Sequence, residues 1–465
     1  MTIKLKFCGG TQEVSGSNHL LSTGKSKILL DAGLFQGRRK DFYKINSTFS
    51  YNPFDIDALV LSHVHIDHSG NIPTLVKRGF RSKIYATSAT KTLSRLMLLD
   101  SGKIQEEDAK FLNKIRSRKN IPAMKPLYTK KDAEYCMRFF RSVYYHRRIK
   151  IAKDTYLTFF DAGHILGSAL ARLEIKNDSR VVKIGYIVDL GRKNLPLLNP
   201  PELMPGLDYM IIESTYGNRM HKPITEAKTH LEQAITRALG RGGKVIIPSF
   251  AMERTQEVLC FITQLIKAGK INKDVPIFLD SPLAIDITDV FKRHLLFLDS
   301  ETRNAFISGE GPFSLKNIVH IRKVKESKQL NNDNRSMIII AGSGMCESGR
   351  VLHHLKNNIE DEKNMILVVG YMAKDTLGKR IVEKHPKVRI YGEEYNLKAE
   401  VVVNNAFSGH ADKEALINYV VQSDGELKKV FVVHGDEDQS FELVKRLKER
   451  GYDAYTPVKG EEVEL

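Results

Sequence analysis

Runs of aliphatic and β-branched residues, broken by short polar stretches, dominate the first two hundred positions: Ile3 to Phe7, Lys27 to Leu30, Ala58 to Leu61, Tyr156 to Phe160, Ala169 to Ile175 and Val181 to Val188. Several are nearly continuous rather than alternating, which predicts strands buried on both faces. Asn199 to Gly206 carries Pro200, Pro201 and Pro205 with a glycine and reads as a linker. Beyond it the rhythm changes. Apolar runs at Tyr209 to Ile212, Lys244 to Pro248, Pro276 to Leu279, Met337 to Ala341 and Met365 to Val369 alternate with helix-like stretches such as Glu226 to Leu239 and Glu253 to Ala268. This alternation predicts right-handed βαβ units and a mostly parallel sheet flanked by helices, a second domain over residues 207–396. Residues 397–465 return to strand and helix, with a strand at Val430 to Val433 and a helix at Asp438 to Arg450.

Composition narrows the class. The 465 residues are 42% hydrophobic and 27% charged, which excludes collagen, coiled coil and disorder as descriptions of the whole chain. No stretch approaches the ~20 apolar residues of a membrane span, and the start carries no signal-peptide core, so a cytoplasmic protein is expected. The four cysteines, Cys8, Cys136, Cys260 and Cys346, are scattered without CxxC spacing and read as reduced, packed thiols.

Charge adds a direction. Seventy-two Lys and Arg against 55 Asp and Glu leave +17, a surplus that favours a polyanionic partner. Residues 103–148 hold 13 basic and 5 acidic residues. Aromatic residues (Phe111, Tyr128, Tyr135, Phe139, Phe140, Tyr144, Tyr145) are interleaved with these charges. Two readings of this segment stand: direct contact with nucleic acid, where bases stack and phosphates are neutralised, or two helices with solvated lysine faces and aromatic core faces.

The densest chemical signal is His63-Val64-His65-Ile66-Asp67-His68, directly after the apolar run Ala58 to Leu61. Imidazoles and carboxylates this close need partners or a metal to offset their desolvation. Further candidates occupy matching contexts where a strand gives way to a loop: Asp31, His164 and Asp189. Ligands of open α/β sheets collect beyond the carboxyl ends of strands, which predicts convergence on one edge. Imidazole with carboxylate suits zinc, and manganese or iron fits the same donors. With more than four candidate ligands, two metals are more natural than one tetrahedral ion. A pair of cations about 3.5–4 Å apart sharing a carboxylate supplies hydroxide at neutral pH, the requirement of a hydrolase.

His63 to His68 with Asp31, His164 and Asp189 resembles the metallo-β-lactamase superfamily. The segments Ile211-Ile212-Glu213-Ser214-Thr215-Tyr216-Gly217, Phe407-Ser408-Gly409-His410-Ala411-Asp412 and Val433-His434-Gly435-Asp436 are similar to the further motifs of its β-CASP nucleases. That group includes bacterial and archaeal ribonucleases and the endonuclease of eukaryotic 3′-end processing. The resemblance spans nearly the whole chain. It implies an α/β fold: a metallo-β-lactamase αββα sandwich built from residues 1–206 and 397–465, with a β-CASP domain, 207–396, inserted. It further implies two zinc ions per chain, one held by His63, His65, His164 and Asp189, the other by Asp67, His68, His434 and the shared Asp189. Asp31 would orient ligands from behind. Asp67, Glu213 and His410 form the implied catalytic set, with His410 protonating the leaving oxygen and Glu213 holding it. A histidine at the position of His434 is similar to the RNA-acting branch of the family.

The expected activity is hydrolysis of RNA phosphodiester bonds, endonucleolytic, 5′-to-3′ exonucleolytic or both, in RNA processing or decay. Single-stranded RNA is the implied partner, held between two lobes, with no membrane; a homodimer is compatible with the resemblance. Candidate substrate contacts are Ser249, Arg254, Ser281, the turn Gly342-Ser343-Gly344, Arg350 and Ser408, with Arg254 and Arg350 as phosphate contacts. For the turn by itself a tight structural role is the favoured reading, and for either arginine a surface salt bridge is an equally open one. Two rivals remain at this point: a metallo-hydrolase of a small ester or thioester, and a catalytically silent RNA-binding scaffold.

Overall fold

Strand-forming runs and helical stretches assemble into two compact units in a computed structural model that describes residues 2–37, 39–177, 180–404, 407–423 and 426–465. One unit comprises Met1–Lys193, Pro200–Met220 and His410–Leu465; the other comprises Asn194–Asn199 and His221–Gly409.

The first unit is built on two seven-stranded sheets. In one, the strands Glu462–Glu464, Lys4–Gly9, Asn18–Ser22 and Lys27–Leu30 pair antiparallel, and Ala58–Val60, Lys83–Ala86 and Phe140–Ser142 continue the sheet in parallel. In the other, Ala454–Tyr455, Lys429–Val433, Tyr209–Glu213 and Arg180–Ile187 are parallel neighbours. Ala169–Asn177, Thr155–Asp161 and Ile149–Lys150 extend it antiparallel. The sheets bury a shared layer that includes Leu5, Phe7, Leu30 and Val60 from one and Phe159, Leu173, Tyr186 and Phe431 from the other. The outer face of the first sheet is covered by the helices Ile72–Lys77, Ser88–Ser117 and Lys130–Cys136, and that of the second by Lys413–Gln422 and Glu437–Lys448. The central strands, such as Lys27–Leu30, Ala58–Val60 and Tyr209–Glu213, therefore meet apolar neighbours on both sides, the reason their sequences run aliphatic instead of alternating. The result is an αββα sandwich.

The second unit is a six-stranded parallel sheet, ordered Ile318–His320, Ile277–Asp280, Ile338–Ala341, Val245–Pro248, Met365–Val368 and Glu400–Val403. Helices such as Arg254–Lys267 and Val351–Asn358 connect and cover it.

Two expectations are corrected. Tyr209–Glu213, grouped by its rhythm with the strands that follow, lies in the first unit, because all five residues register with Lys429–Val433. The proline-bearing stretch 199–206 is not the departure point of the chain. From Pro200 its backbone is tied into the first unit by Glu202 N–H to the Asp161 carbonyl and Gly206 N–H to the Ser423 carbonyl, and the long excursion into the second unit begins after Met220. Among the described residues no helix is long and apolar enough to cross a membrane.

One close approach positions the metal-ligand candidates. Residues 31–34 lie along residues 66–71, joined by hydrogen bonds from Ala32 N–H to His68 O, Leu34 N–H to Ile66 O and Asn71 N–H to Ala32 O. A Cβ on Gly33 would stand 1.6 Å from the carbonyl oxygen of Asp67 and 2.7 Å from the amide nitrogen of Ser17, so only glycine fits there. Gly33→Ala is therefore expected to cost about 1–3 kcal/mol by overpacking, read as a lower melting temperature. An unchanged melting temperature would contradict the close packing of these segments.

Candidate metal centre

The ends of several strands deliver the polar side chains of the first unit to one place. Asp31 follows Lys27–Leu30, His63 follows Ala58–Val60, His164 follows Thr155–Asp161, Asp189 follows Arg180–Ile187, Glu213 ends Tyr209–Glu213 and His434 follows Lys429–Val433. His65 precedes the one-turn helix Ile66–Ser69, which carries Asp67 and His68. Three groups of donor atoms result: His63, His65, His164 and Asp189; Asp67, His68 and His434; and Asp189, Glu213 and His410.

In the first group His63 Nε2 lies 3.0 Å from His65 Nδ1 and 3.5 Å from Asp189 Oδ2, and His164 Nε2 lies 3.3 Å from His65 Nδ1 and 3.4 Å from Asp189 Oδ2. A tetrahedral zinc with donors at about 2.0–2.1 Å requires donor separations of about 3.3–3.4 Å. The observed spacings bracket that value. In the second group His68 Nε2 is 3.0 Å from His434 Nε2, and His434 Nε2 is 3.5 Å from Asp67 Oδ2. Asp189 reaches both groups. Its Oδ1 lies 3.5 Å from His68 Nε2 and 3.2 Å from His434 Nδ1, and this buried oxygen accepts no hydrogen bond among the described residues, the environment of a carboxylate oxygen that takes a cation. The donor set thus fits divalent metal ions on both sides of Asp189.

Proton counting behind the cluster explains why the lone pairs face inward. Asp31, fully buried, accepts from the Ser62 backbone N–H at 2.8 Å through Oδ1, and through Oδ2 from Ser62 Oγ at 2.7 Å and the Tyr186 hydroxyl at 2.9 Å. Its Oδ2 also receives His68 Nδ1 at 2.7 Å, which fixes the proton on Nδ1 and leaves Nε2 as the acceptor. Ser62 has spent its only hydroxyl proton on Asp31, so at 3.0 Å from His63 Nδ1 it accepts, and His63 too keeps its Nε2 lone pair free. The Ser17 hydroxyl, 2.9 Å from the Tyr186 oxygen, closes the chain of donors. Ser62, Tyr186 and Ser17 had no signal in the sequence, because their partners lie 31 to 169 positions away.

Charge is divided across the cluster. Burial and the neighbouring imidazoles hold His63 well below the ordinary histidine range, and burial takes His65 down to about 4 against the pull of Asp67. Burial opposes protonation of His434 as well, but Asp189 and Asp67 outweigh it and raise this histidine to about 10. His68 is raised by Asp189, Asp31 and Asp67 despite its burial. Burial raises Asp189 itself, with His434 and His68 opposing.

Glu213 and His410 adjoin this cluster. Glu213 is buried and accepts the Leu190 N–H at 2.6 Å, while its two carboxylate oxygens stand 3.1 and 3.2 Å from His410 Nδ1. His410 Nδ1 is 3.8 Å from Asp189 Oδ2. Burial lowers the affinity of His410 for a proton, yet Glu213 and Asp189 raise it above the usual histidine value, and His410 in turn keeps Glu213 low against its burial. The side chains of His410 and Asp67 are 21% and 25% exposed, so the cluster opens to solvent on their side.

The other candidates belong to the second unit. Ser249, Ser281 and Gly342 follow the parallel strands Val245–Pro248, Ile277–Asp280 and Ile338–Ala341, and a Cβ on Gly342 would meet the Ser249 carbonyl and the Ser281 hydroxyl, each at 3.8 Å. Their hydroxyls already serve the turns. Ser281 caps the helix Pro282–Arg293 by accepting the Ala284 N–H, Ser249 accepts from Thr255, and Ser343 holds the 343–348 turn; the adjacent Gly344 lies against the Phe250 ring. Arg254 pairs with Glu257 at 2.7 Å, and Ser408 lies in the segment just before His410. Arg350 has a structural occupation: it donates to Asp280 Oδ1 at 2.5 Å and to the carbonyls of Ile321 and Arg322.

A fold of this kind with a histidine and aspartate cluster at the strand ends defines a metallo-hydrolase. The sequence profile of the metallo-β-lactamase superfamily matches residues 12–126, that of the Beta-Casp domain residues 255–381, and that of the Zn-dependent metallo-hydrolase RNA specificity domain residues 394–457. The chain is 35% identical to Ribonuclease TTHA0252 of Thermus thermophilus over 95% of both proteins. It is 30% identical to transcription termination factor FttA of Methanosarcina mazei, over 96% of this chain and 69% of that one. A crystal structure of a protein of unknown function from Enterococcus faecalis shares the fold at a TM-score of 0.58, with 11% identity and full coverage of both chains. The chain belongs to the β-CASP ribonuclease family of the metallo-β-lactamase superfamily.

Asp280 yields a prediction about the second unit. It is buried between Arg350, His354 Nε2 at 2.6 Å and Ser327 Oγ at 2.5 Å. Burial raises its carboxyl, but these hydrogen bonds outweigh burial and hold it below the ordinary aspartate value. A carboxyl depressed by folding stabilises above the unfolded value of about 3.9, and that stabilisation is lost as pH falls through the lower native value. Asp280→Ala should destabilise by about 3 kcal/mol in urea titrations at neutral pH, with the gap to the parent closing below about pH 4. A gap independent of pH would contradict this role.

Proposed function

We propose that this chain is a zinc-dependent ribonuclease that hydrolyses RNA phosphodiester bonds at a two-metal centre, in RNA processing or decay. His63, His65, His164 and Asp189 would hold one ion, and Asp67, His68, His434 and Asp189 the other. The observation that carries this reading is the spacing of the donors about Asp189, 3.0 to 3.5 Å on either side of one carboxylate. Bound cations supply Lewis acidity: they neutralise the scissile phosphate and make water acidic enough to attack at neutral pH. Everything else falls to the side chains. Asp31 and Ser62 keep His68 and His63 in one tautomer, so no reorganisation is needed when substrate arrives. Glu213 orients His410 and favours its protonated form, and His410 delivers that proton to the departing 3′-oxygen. Products carry 5′-phosphate and 3′-hydroxyl ends. The names of the relatives, a ribonuclease and a transcription termination factor, support RNA as substrate. Ser249, Ser281, Arg254, Ser408 and residues 342–344 are proposed to contact the strand.

Purified protein incubated with RNAs labelled at either end, with and without a 5′-triphosphate, should release shorter products. A DNA control, nitrocefin and a thioester should stay intact; turnover of the small substrates alone would overturn the proposal. Asp67→Ala and His68→Ala should abolish RNA cleavage and keep the parent's circular dichroism, and parent-like turnover by either would refute the site. His410→Ala should slow cleavage by about 10²- to 10⁴-fold while the bound metal, measured by mass spectrometry, is retained. Loss of metal in that variant would rule out its acid role.

A further inference from the structure

The most lopsided charge in the molecule lies away from the metal centre. From Ala109 to Lys131 the chain has eight Lys and Arg (Lys110, Lys114, Arg116, Arg118, Lys119, Lys125, Lys130 and Lys131) and no Asp or Glu. None of the eight has an ion-pair partner among the described residues. Of the acids that flank the segment, Glu107 pairs with Lys103, Asp132 with Lys77 and Glu134 with Arg95. Among the described residues these eight cations are thus left without an ion pair, available to a polyanion.

The segment is also built to protrude. Helix Ser88–Ser117 starts beside the centre, where the hydroxyls of Thr87 and Thr90 donate to the Gly167 carbonyl at 2.7 and 2.8 Å in the loop that carries His164. Thirty residues carry it about 45 Å from there. Its buried positions end at Ala109, so the last two turns have no core to cover. The following residues fold back on these turns instead of departing. Asn113 exchanges hydrogen bonds with the Met124 backbone, N–H and carbonyl, at 2.9 and 3.0 Å, and Arg116 Nε donates to the Pro122 carbonyl at 2.7 Å. On this tip Phe111 is 59% exposed, and Ile115 and Ile121 are exposed beside it, between the cations. The interleaved aromatics divide between two environments: Tyr128 and Phe140 are core residues, while Phe111, Tyr135 and Tyr144 face solvent.

We propose that this tip, the end of helix Ser88–Ser117 with residues 118–124, is a docking surface for single-stranded RNA that lies tens of ångströms from the cleavage centre. The inference rests on RNA being the substrate. A flexible polyanion meets unpaired cations spread over two helical turns and a clasped loop, and exposed Phe111 offers a ring on which a base of any sequence stacks. Because helix length separates the tip from the centre, only RNA long enough to span that distance engages both.

Three variants of the full-length protein test this. One is Lys114→Ala/Arg118→Ala/Lys119→Ala, a second is Phe111→Ala, and a charge-matched control is Lys445→Ala/Lys448→Ala/Arg450→Ala at the end of helix Glu437–Lys448 and just beyond it. Fluorescence anisotropy with phosphorothioate-linked single-stranded RNA, over a range of salt, should show at least about tenfold weaker binding for the triple tip variant. Its log–log salt slope should be shallower by about 2, three contacts at about 0.7 each. Phe111→Ala should weaken binding without changing the slope, and the control should bind as the parent does. Cleavage of a short oligonucleotide should be unchanged in the tip variants while KM for a long RNA rises. Equal losses in tip and control variants would mean bulk charge alone and overturn the proposal. So would unchanged RNA binding, or a tip-dependent association with anionic phospholipid vesicles in place of RNA. The parent failing to cleave while RNA binding still depends on the tip would sink the nuclease reading and leave this one standing; parent-like binding by tip variants of an active nuclease would do the reverse.

Discussion

The first unit depends on gathering seven imidazoles and carboxylates, most of them buried, within a few ångströms of one another and orienting them by hydrogen bonds from the protein. Asp31 does most of this. A single fully buried carboxylate receives a backbone N–H, two hydroxyls and one imidazole N–H. Each donor it accepts removes a rotational or tautomeric choice from a neighbour. His68 and His63 are left with their Nε2 lone pairs directed at Asp189, which converts an expensive polar pocket into a preformed set of donors. Two sheets whose strands end at one edge supply the scaffold, and their shared apolar layer, from Leu5 to Phe431, keeps water from competing for the same hydrogen bonds.

This arrangement explains why the polypeptide must leave the first unit and return. His434 comes from a strand near the end of the chain, yet its Nε2 lies 3.0 Å from His68 Nε2, 366 positions earlier. The parallel pairing of Lys429–Val433 with Tyr209–Glu213 places it there and brings Glu213 to the same edge. His410 reaches Glu213 through a backbone hydrogen bond from Ala411 N–H to the Leu190 carbonyl just after the Asp189 position. One strand pair and one backbone contact thus complete a centre begun by the first 190 residues.

Much of this was legible in the sequence. The cluster His63 to His68 declares itself by density, and the apolar run before it marks a strand whose end presents those side chains. Parallel sheets are readable because burial on both faces erases alternation, as in Val245-Ile246-Ile247 and Ile338-Ile339-Ile340. What could not be read were relations set by packing. Tyr209–Glu213 sounds like its successors because every buried parallel strand has the same composition, and only register with Lys429–Val433 assigns it. The stretch 199–206 has a linker's prolines, but its amides find acceptors in the first unit. Ser62 and Tyr186 carry no motif; their meaning comes from a carboxylate far away in sequence. Arg350 resembles a ligand contact by position, whereas Asp280 claims it for the second unit.

The central claim is that two metal ions sit on either side of Asp189. Anomalous diffraction at the zinc edge from crystals of protein purified without chelator addresses it directly. The account predicts two peaks per chain, one among His63, His65, His164 and Asp189 and the other among Asp67, His68, His434 and Asp189. A single peak, or none with the seven side chains in the same positions, would contradict it.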